Sequence, residues 1–266
     1  MNDDKIENIE AVEKELENRK VALPIQQENN QPFLTVPMAI IIAGLIIAGS
    51  VVYVNKNKLN EGDRQIVAGN RPSVIDLAKN IEPVNGTDHV LGQPSAPVTL
   101  VLFSDTECPF CKKFHIETVL KVIEKYVDSG QVKVVYRHAP LDSLHAKARP
   151  EAEALECVAK LAGENAFWSY VNKLYLVTPS NDGLDPAKLV EIAKEVKIDG
   201  EKFVICQKSG YGKEKVQKDL EDATNSGLTG TPYSVIIGPD ETKYPIEGAQ
   251  SFATVSSIIE RALAGR

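Results

Sequence analysis

Between Val98 and Tyr136 the hydrophobic pattern changes period twice within about 40 residues. Val98 to Phe103 reads VTLVLF, a continuous apolar run of the kind expected from a strand covered on both faces. Phe110, Phe114, Leu120, Ile123 and Val127 then recur at steps of three and four or their multiples, which predicts an amphipathic helix starting at or near Cys108. Ser129-Gly130 stops it, and VKVVY (Val132 to Tyr136) reads as a second strand. A strand, helix and strand in that order must cross over, so the two strands are expected to pair in parallel with a right-handed connection.

The rest of the chain hangs on this unit. Residues 143–226 read as helical throughout: one helix from Ala152 to Ala162 before Gly163, another around Phe167 and Trp168, and a third opened by Asp185-Pro186. Two more follow around Phe203–Lys208 and Lys213–Asn225. Tyr233 to Ile237 is a strand closed by Gly-Pro-Asp, Lys243 to Ile246 its hairpin partner, and Phe252, Val255, Ile259 and Leu263 mark a last helix. Trp168, Phe167 and Tyr170 are expected in the core of the helical block.

The N-terminal third is different. Val36 to Val54 carries no charge and is almost wholly apolar. As a helix its 19 residues span roughly 28 Å, which matches a hydrocarbon core of about 30 Å. Residues 36–54 are therefore expected to form a single transmembrane helix, uncleaved, because the run is too long and too far from the start for a signal peptide. Residues 1–35 form an acidic tail with eight carboxylates against four basic side chains, and residues 55–84 a polar tether with a short helix near Val74–Ala78. Lys56 and Lys58 follow the span, so local charge mildly favours an N-outside orientation. The net charge of -7, without a dense basic cluster, speaks against nucleic acid as a partner. No Gly-rich phosphate loop or Ser-His-Asp order is present, and no cofactor is expected.

Four cysteines remain: Cys108, Cys111, Cys157 and Cys206. Cys108-Pro109-Phe110-Cys111 has a spacing that serves disulfide chemistry and metal ligation equally. Zinc needs two more ligands, and the chain has no second CxxC or close Cys/His pair, so no metal is expected. His115, His138 and His145 are expected as surface or hydrogen-bonded residues. At the first turn of a helix, unpaired N–H groups and the helix dipole stabilise a thiolate. That favours Cys108 as an exposed, attacked sulfur of lowered pKa and Cys111, one turn on, as a buried resolving one. Pro109 fits a first-turn position, where its missing N–H costs nothing. Cys157 and Cys206 lie on apolar helix faces, as free buried thiols or as a bonded pair.

Phe103-Ser104-Asp105 before the CPFC, Tyr136-Arg137-His138 and Pro140-Leu141-Asp142 after the second strand, and Gly230-Thr231-Pro232 before the third resemble the DsbA-like thioredoxin family. The resemblance covers roughly residues 85–264. It implies an α/β thioredoxin fold with an all-helical insertion at about 143–226, here preceded by a single N-terminal transmembrane helix. It also implies a thiol–disulfide oxidoreductase domain over 85–266. A cis Thr231–Pro232 bond is expected opposite the CPFC, with Phe110, Thr231, Pro232 and Tyr233 lining a substrate groove. A structural Cys157–Cys206 disulfide is expected by the same resemblance. Implied partners are exported proteins with thiols and a membrane redox protein, DsbB-like or VKOR-like, that reoxidises the pair. That chemistry places the catalytic domain outside the cytoplasm and the tail inside, against Lys56 and Lys58. The alternatives are a reductase or isomerase of the same compartment, and an anchored binding module with a static disulfide. Two departures stand out: Leu102 occupies a position where many members carry Glu, and Phe110 stands where the best-known oxidases carry His.

Overall fold

The computed structural model describes residues 73–265. The expected tail, transmembrane span and most of the tether lie outside the described residues. Among the described residues no helix is long and apolar enough to cross a membrane.

A five-stranded sheet organises the molecule. β1 is His89–Leu91, β2 Val98–Ser104, β3 Val132–His138, β4 Tyr233–Ile237 and β5 Lys243–Glu247. The order is β1-β3-β2-β4-β5, with β2 and β3 parallel and every other pair antiparallel. β1 was not anticipated: three residues offer too short a pattern to read as a strand, and only pairing with Val134 to Tyr136 makes them one. β2 is buried along its whole length. Val98, Leu100 and Leu102 enter one core, while Val101 and Phe103 enter another on the opposite face. Alternation across a pleat covered on both sides explains the unbroken apolar run.

Helix α1, Val74–Leu77, is capped by Ser73 Oγ, which accepts from the Asp76 N–H at 3.2 Å. The segment that follows does not behave as a tether. Ala78 and Ile81 are buried beside Val101, Val135 and Val235, and Glu82 N–H donates to Asp222. Polar sequence around two isolated apolar residues concealed this docking.

Helix α2 runs as Pro109–Phe114, π-helical His115–Val119, an α-helical turn Leu120–Val122 and π-helical Ile123–Val127. Its buried residues include Cys111, Phe114, Val119, Val122 and Tyr126. The insertion comprises α3 (Ala148–Val177), α4 (Ala187–Glu195), α5 (Gly200–Ser209) and α6 (Lys213–Asn225), joined by short non-helical stretches. α3 breaks at Gly163, whose φ of 78° and ψ of -175° suit glycine. Helix α7, Phe252–Leu263, closes the chain. Phe167, Trp168 and Tyr170 are buried in the insertion.

Arg137 ties these parts together from β3. Its guanidinium donates to Asp88 at 2.9 and 2.8 Å, to Asp222 at 2.6 Å and to the Glu82 carbonyl at 3.0 Å. Such a buried cation persists only because all this compensation is present.

Candidate active site at the head of helix α2

The strand β2 ends at Ser104, and after three intervening residues the chain enters α2 with Cys108 as its N-cap residue. Pro109 takes the first helical position, so no N–H is lost there. Cys108 and Cys111 are free thiols, the dithiol state of the pair. The Thr231–Pro232 bond is cis, and the Thr231 carbonyl lies 3.5 Å from Cys108 Sγ.

The two sulfurs differ sharply. A hydrogen bond from Cys111, helped by Thr231 and by the N–H groups of Cys111 and Phe110, overcomes burial and lowers the Cys108 thiol to about 6. Thr231 Oγ1 is buried with no other partner, which leaves it as a donor for that thiolate. Burial, then the neighbouring Cys108, pushes the Cys111 thiol well above the usual range. The expectation of an exposed Cys108 is corrected: it is 4% exposed against 1% for Cys111. The Thr231 carbonyl lies against the Cys108 Sγ at 3.5 Å. Exposure at the motif comes from Phe110, 62% accessible.

Pro232 is buried, and its carbonyl accepts from Gly248 N–H at 2.9 Å. The β4 ladder begins at Tyr233, leaving Thr231 just beyond it. Tyr233 does not line a groove. Its ring stacks on Phe103 and its hydroxyl donates to the Ser226 carbonyl at 2.6 Å, because β4 alternation turns it into the core.

Buried polar groups surround the pair. The Asp105 carboxylate accepts from His145 Nδ1 at 2.9 Å, Leu141 N–H at 2.8 Å and Glu107 N–H at 2.9 Å, while its own N–H donates to Cys111 Sγ at 3.4 Å. Burial opposes charge on His145, yet the Asp105 carboxylate raises its pKa. Glu107, fully buried, stands against Glu151 at the start of α3. Burial and then Glu107 lift the Glu151 carboxyl to about 9. Ser104 Oγ lies 2.7 Å from the Tyr175 hydroxyl, which is 3.3 Å from that of Tyr136. Leu102 is buried and supplies no charge. His115 is buried on Asn172 at 2.7 Å, and burial lowers its pKa to about 4. His138 contacts Glu156 at 2.8 Å. All three histidines are thus hydrogen-bonded and none is at the surface.

Glu151, Tyr175 and His145 could not be selected from sequence, because each reaches the site from the helical insertion or the loop before it. Cys157 on α3 and Cys206 on α5 form a disulfide of 2.05 Å.

Among known proteins, the family model described as Thioredoxin matches residues 84–261. Over 170 residues the chain is 33% identical to the Na(+)/H(+) antiporter NhaA 3 of Salinispora tropica, covering 64% of this chain and 24% of that one. The chain thus spans about a quarter of the length of the first curated relatives it matches. It is 27% identical to the probable disulfide bond formation protein D of Bacillus anthracis, over 74% of this chain and 84% of that one. Among solved structures, oxidised BdbD from Bacillus subtilis superposes with a TM-score of 0.61 at 27% identity, over 69% of this chain and 97% of that one.

Proposed function

The chain belongs to the thioredoxin family, as a DsbA-like thiol–disulfide oxidoreductase, and from that premise we propose that it forms disulfides in exported proteins through Cys108 and Cys111. The observation that carries this reading is the asymmetry of the two thiols, one lowered to about 6 and the other raised, beside a cis proline.

In the oxidised protein a substrate thiolate attacks Cys108 Sγ, the Cys108–Cys111 bond breaks, and its electron pair goes to Cys111. A second substrate thiolate then attacks the substrate sulfur of the mixed disulfide, forming the substrate disulfide and releasing Cys108 as a thiolate. Stabilising that thiolate stabilises the reduced protein, which makes the couple oxidising. Thr231, just before the β4 ladder, pairs with an extended substrate segment, and the exposed Phe110 meets its apolar side chains.

Residues 36–54 anchor the chain in the membrane with the catalytic domain outside the cytoplasm and residues 1–35 inside. A membrane redox protein, DsbB-like or VKOR-like, returns the pair to the disulfide. Labelling of reduced Cys108 in intact cells by a membrane-impermeant thiol reagent tests the orientation; no labelling sinks it.

The rival reading, a reductase or isomerase, draws on Phe110, which puts no cation beside the thiolate. Equilibration of the full-length protein with glutathione decides between them. A potential near that of thioredoxin, about -270 mV, would overturn the oxidase reading. Peptide oxidation that survives Cys108→Ser would refute the redox role of the pair, whereas a wild-type protein that oxidises no peptide would leave the anchored binding module.

A further inference from the structure

Breaking the Cys108–Cys111 bond puts negative charge on Cys111, the more deeply buried sulfur and one whose thiolate burial disfavours. Something must receive that charge, and Leu102, beneath the site, carries no polar group. The Asp105 N–H donates to the Cys111 Sγ at 3.4 Å, and the hydroxyl of the preceding residue, Ser104 at the end of β2, favours its ionised form.

Ser104 is itself held. Its Oγ is 2.7 Å from the Tyr175 hydroxyl, and that hydroxyl is 3.3 Å from Tyr136. All three side chains are buried, and burial pushes both phenols upward, so they stay protonated. The Tyr175 hydroxyl also lies 3.4 Å from the Asp105 carbonyl, a longer contact than its 2.7 Å to Ser104, so the serine is its nearer acceptor. Tyr136 donates to Tyr175, Tyr175 donates to Ser104, and the Ser104 O–H is left to point at Cys111.

We propose that Ser104 and the Asp105 N–H form a thiolate hole for Cys111, with Tyr175 and Tyr136 as positioning residues that aim and polarise the serine hydroxyl. This rests on the redox reading of the CPFC pair and says how its buried half leaves. The logic is that of an oxyanion hole: donors fixed in a dry site, aimed where charge develops rather than where it already is. Chained hydroxyls polarise one another, so the last donor is stronger than an isolated serine. No proton leaves the chain. The electron pair from the broken S–S bond rests on Cys111, hydrogen-bonded by Ser104 and Asp105, while the Cys108–substrate bond forms. A leaving thiol of lower pKa departs faster, and the reverse step, attack by Cys111 on the mixed disulfide, gains from a larger thiolate fraction.

The two directions share one transition state, so removing the hole slows both and leaves the overall equilibrium almost unmoved. The test uses full-length protein and stopped-flow exchange with reduced and oxidised glutathione. Ser104→Ala and Tyr175→Phe should each slow reduction and reoxidation about tenfold, with the glutathione equilibrium constant changed less than threefold. The pH profile of reoxidation should move to higher pH in both variants. A merely structural role for either residue would lower the melting temperature without moving these rates in parallel. Unchanged rates in both variants overturn the inference, and so does a shift in equilibrium with no matching change in both rates. A wild-type protein that exchanges no thiols with glutathione would instead overturn the redox reading, and this inference with it.

Discussion

The Thr231 carbonyl oxygen lies 3.5 Å from Cys108 Sγ although the two residues are 123 positions apart. The Thr231–Pro232 segment, just before β4, meets the head of α2, so one short loop sets a carbonyl against the reactive sulfur and lends it a hydroxyl. Nothing within α2 supplies that donor.

Thr231→Val removes the hydroxyl and keeps the shape. We expect the Cys108 pKa to rise from about 6 by up to about one unit, since one unit corresponds to about 1.4 kcal/mol. Thiolate absorbance at 240 nm across pH measures it. An unmoved titration would show that the hydroxyl contributes nothing.

Redox state and pH should be linked. The Cys108 thiol is depressed in the folded protein, so its contribution to stability is present above the unfolded value and is lost as pH falls through about 6. Only the reduced form titrates there. Between pH 6 and 8 the melting temperature of reduced protein should therefore rise relative to that of oxidised protein. Parallel curves in calorimetry would contradict the assigned thiolate.

Glu151 gives the opposite sign. Its carboxyl is raised in the fold, so the stability tied to its protonation is complete below the unfolded value and is lost as pH rises through about 9. Glu151→Gln abolishes that loss. We expect the variant to be more stable than the parent at pH 8, on the order of 2 kcal/mol, and equal to it near pH 4. Denaturant melts at the two pH values decide the matter.

The Cys157–Cys206 disulfide closes a loop with a sequence separation of 49. By chain entropy such a loop is worth at most about 4 kcal/mol. Replacing both cysteines by alanine should lower the stability of the insertion by about 2 to 4 kcal/mol while leaving the Cys108 titration in place. A large change in that titration would mean that the staple also shapes the site.

The parts whose signal is local were legible in the order of residues. The apolar run at 98–103, the helical spacing after Cys108 and the strand at 132–136 each report which faces are buried, and burial follows the pleat or the helical turn. The position of Cys108 and Cys111 at a helix start came from the same patterns. Tertiary structure alone decided what those patterns meet. It set the Thr231 carbonyl against Cys108, drew Tyr233 into the core, docked residues 78–82 on the sheet and made a strand of His89–Leu91. It also brought Glu151 and Tyr175 from α3 to Glu107 and Ser104. Periodicity says which side of an element is buried; only closure of the chain says against whom.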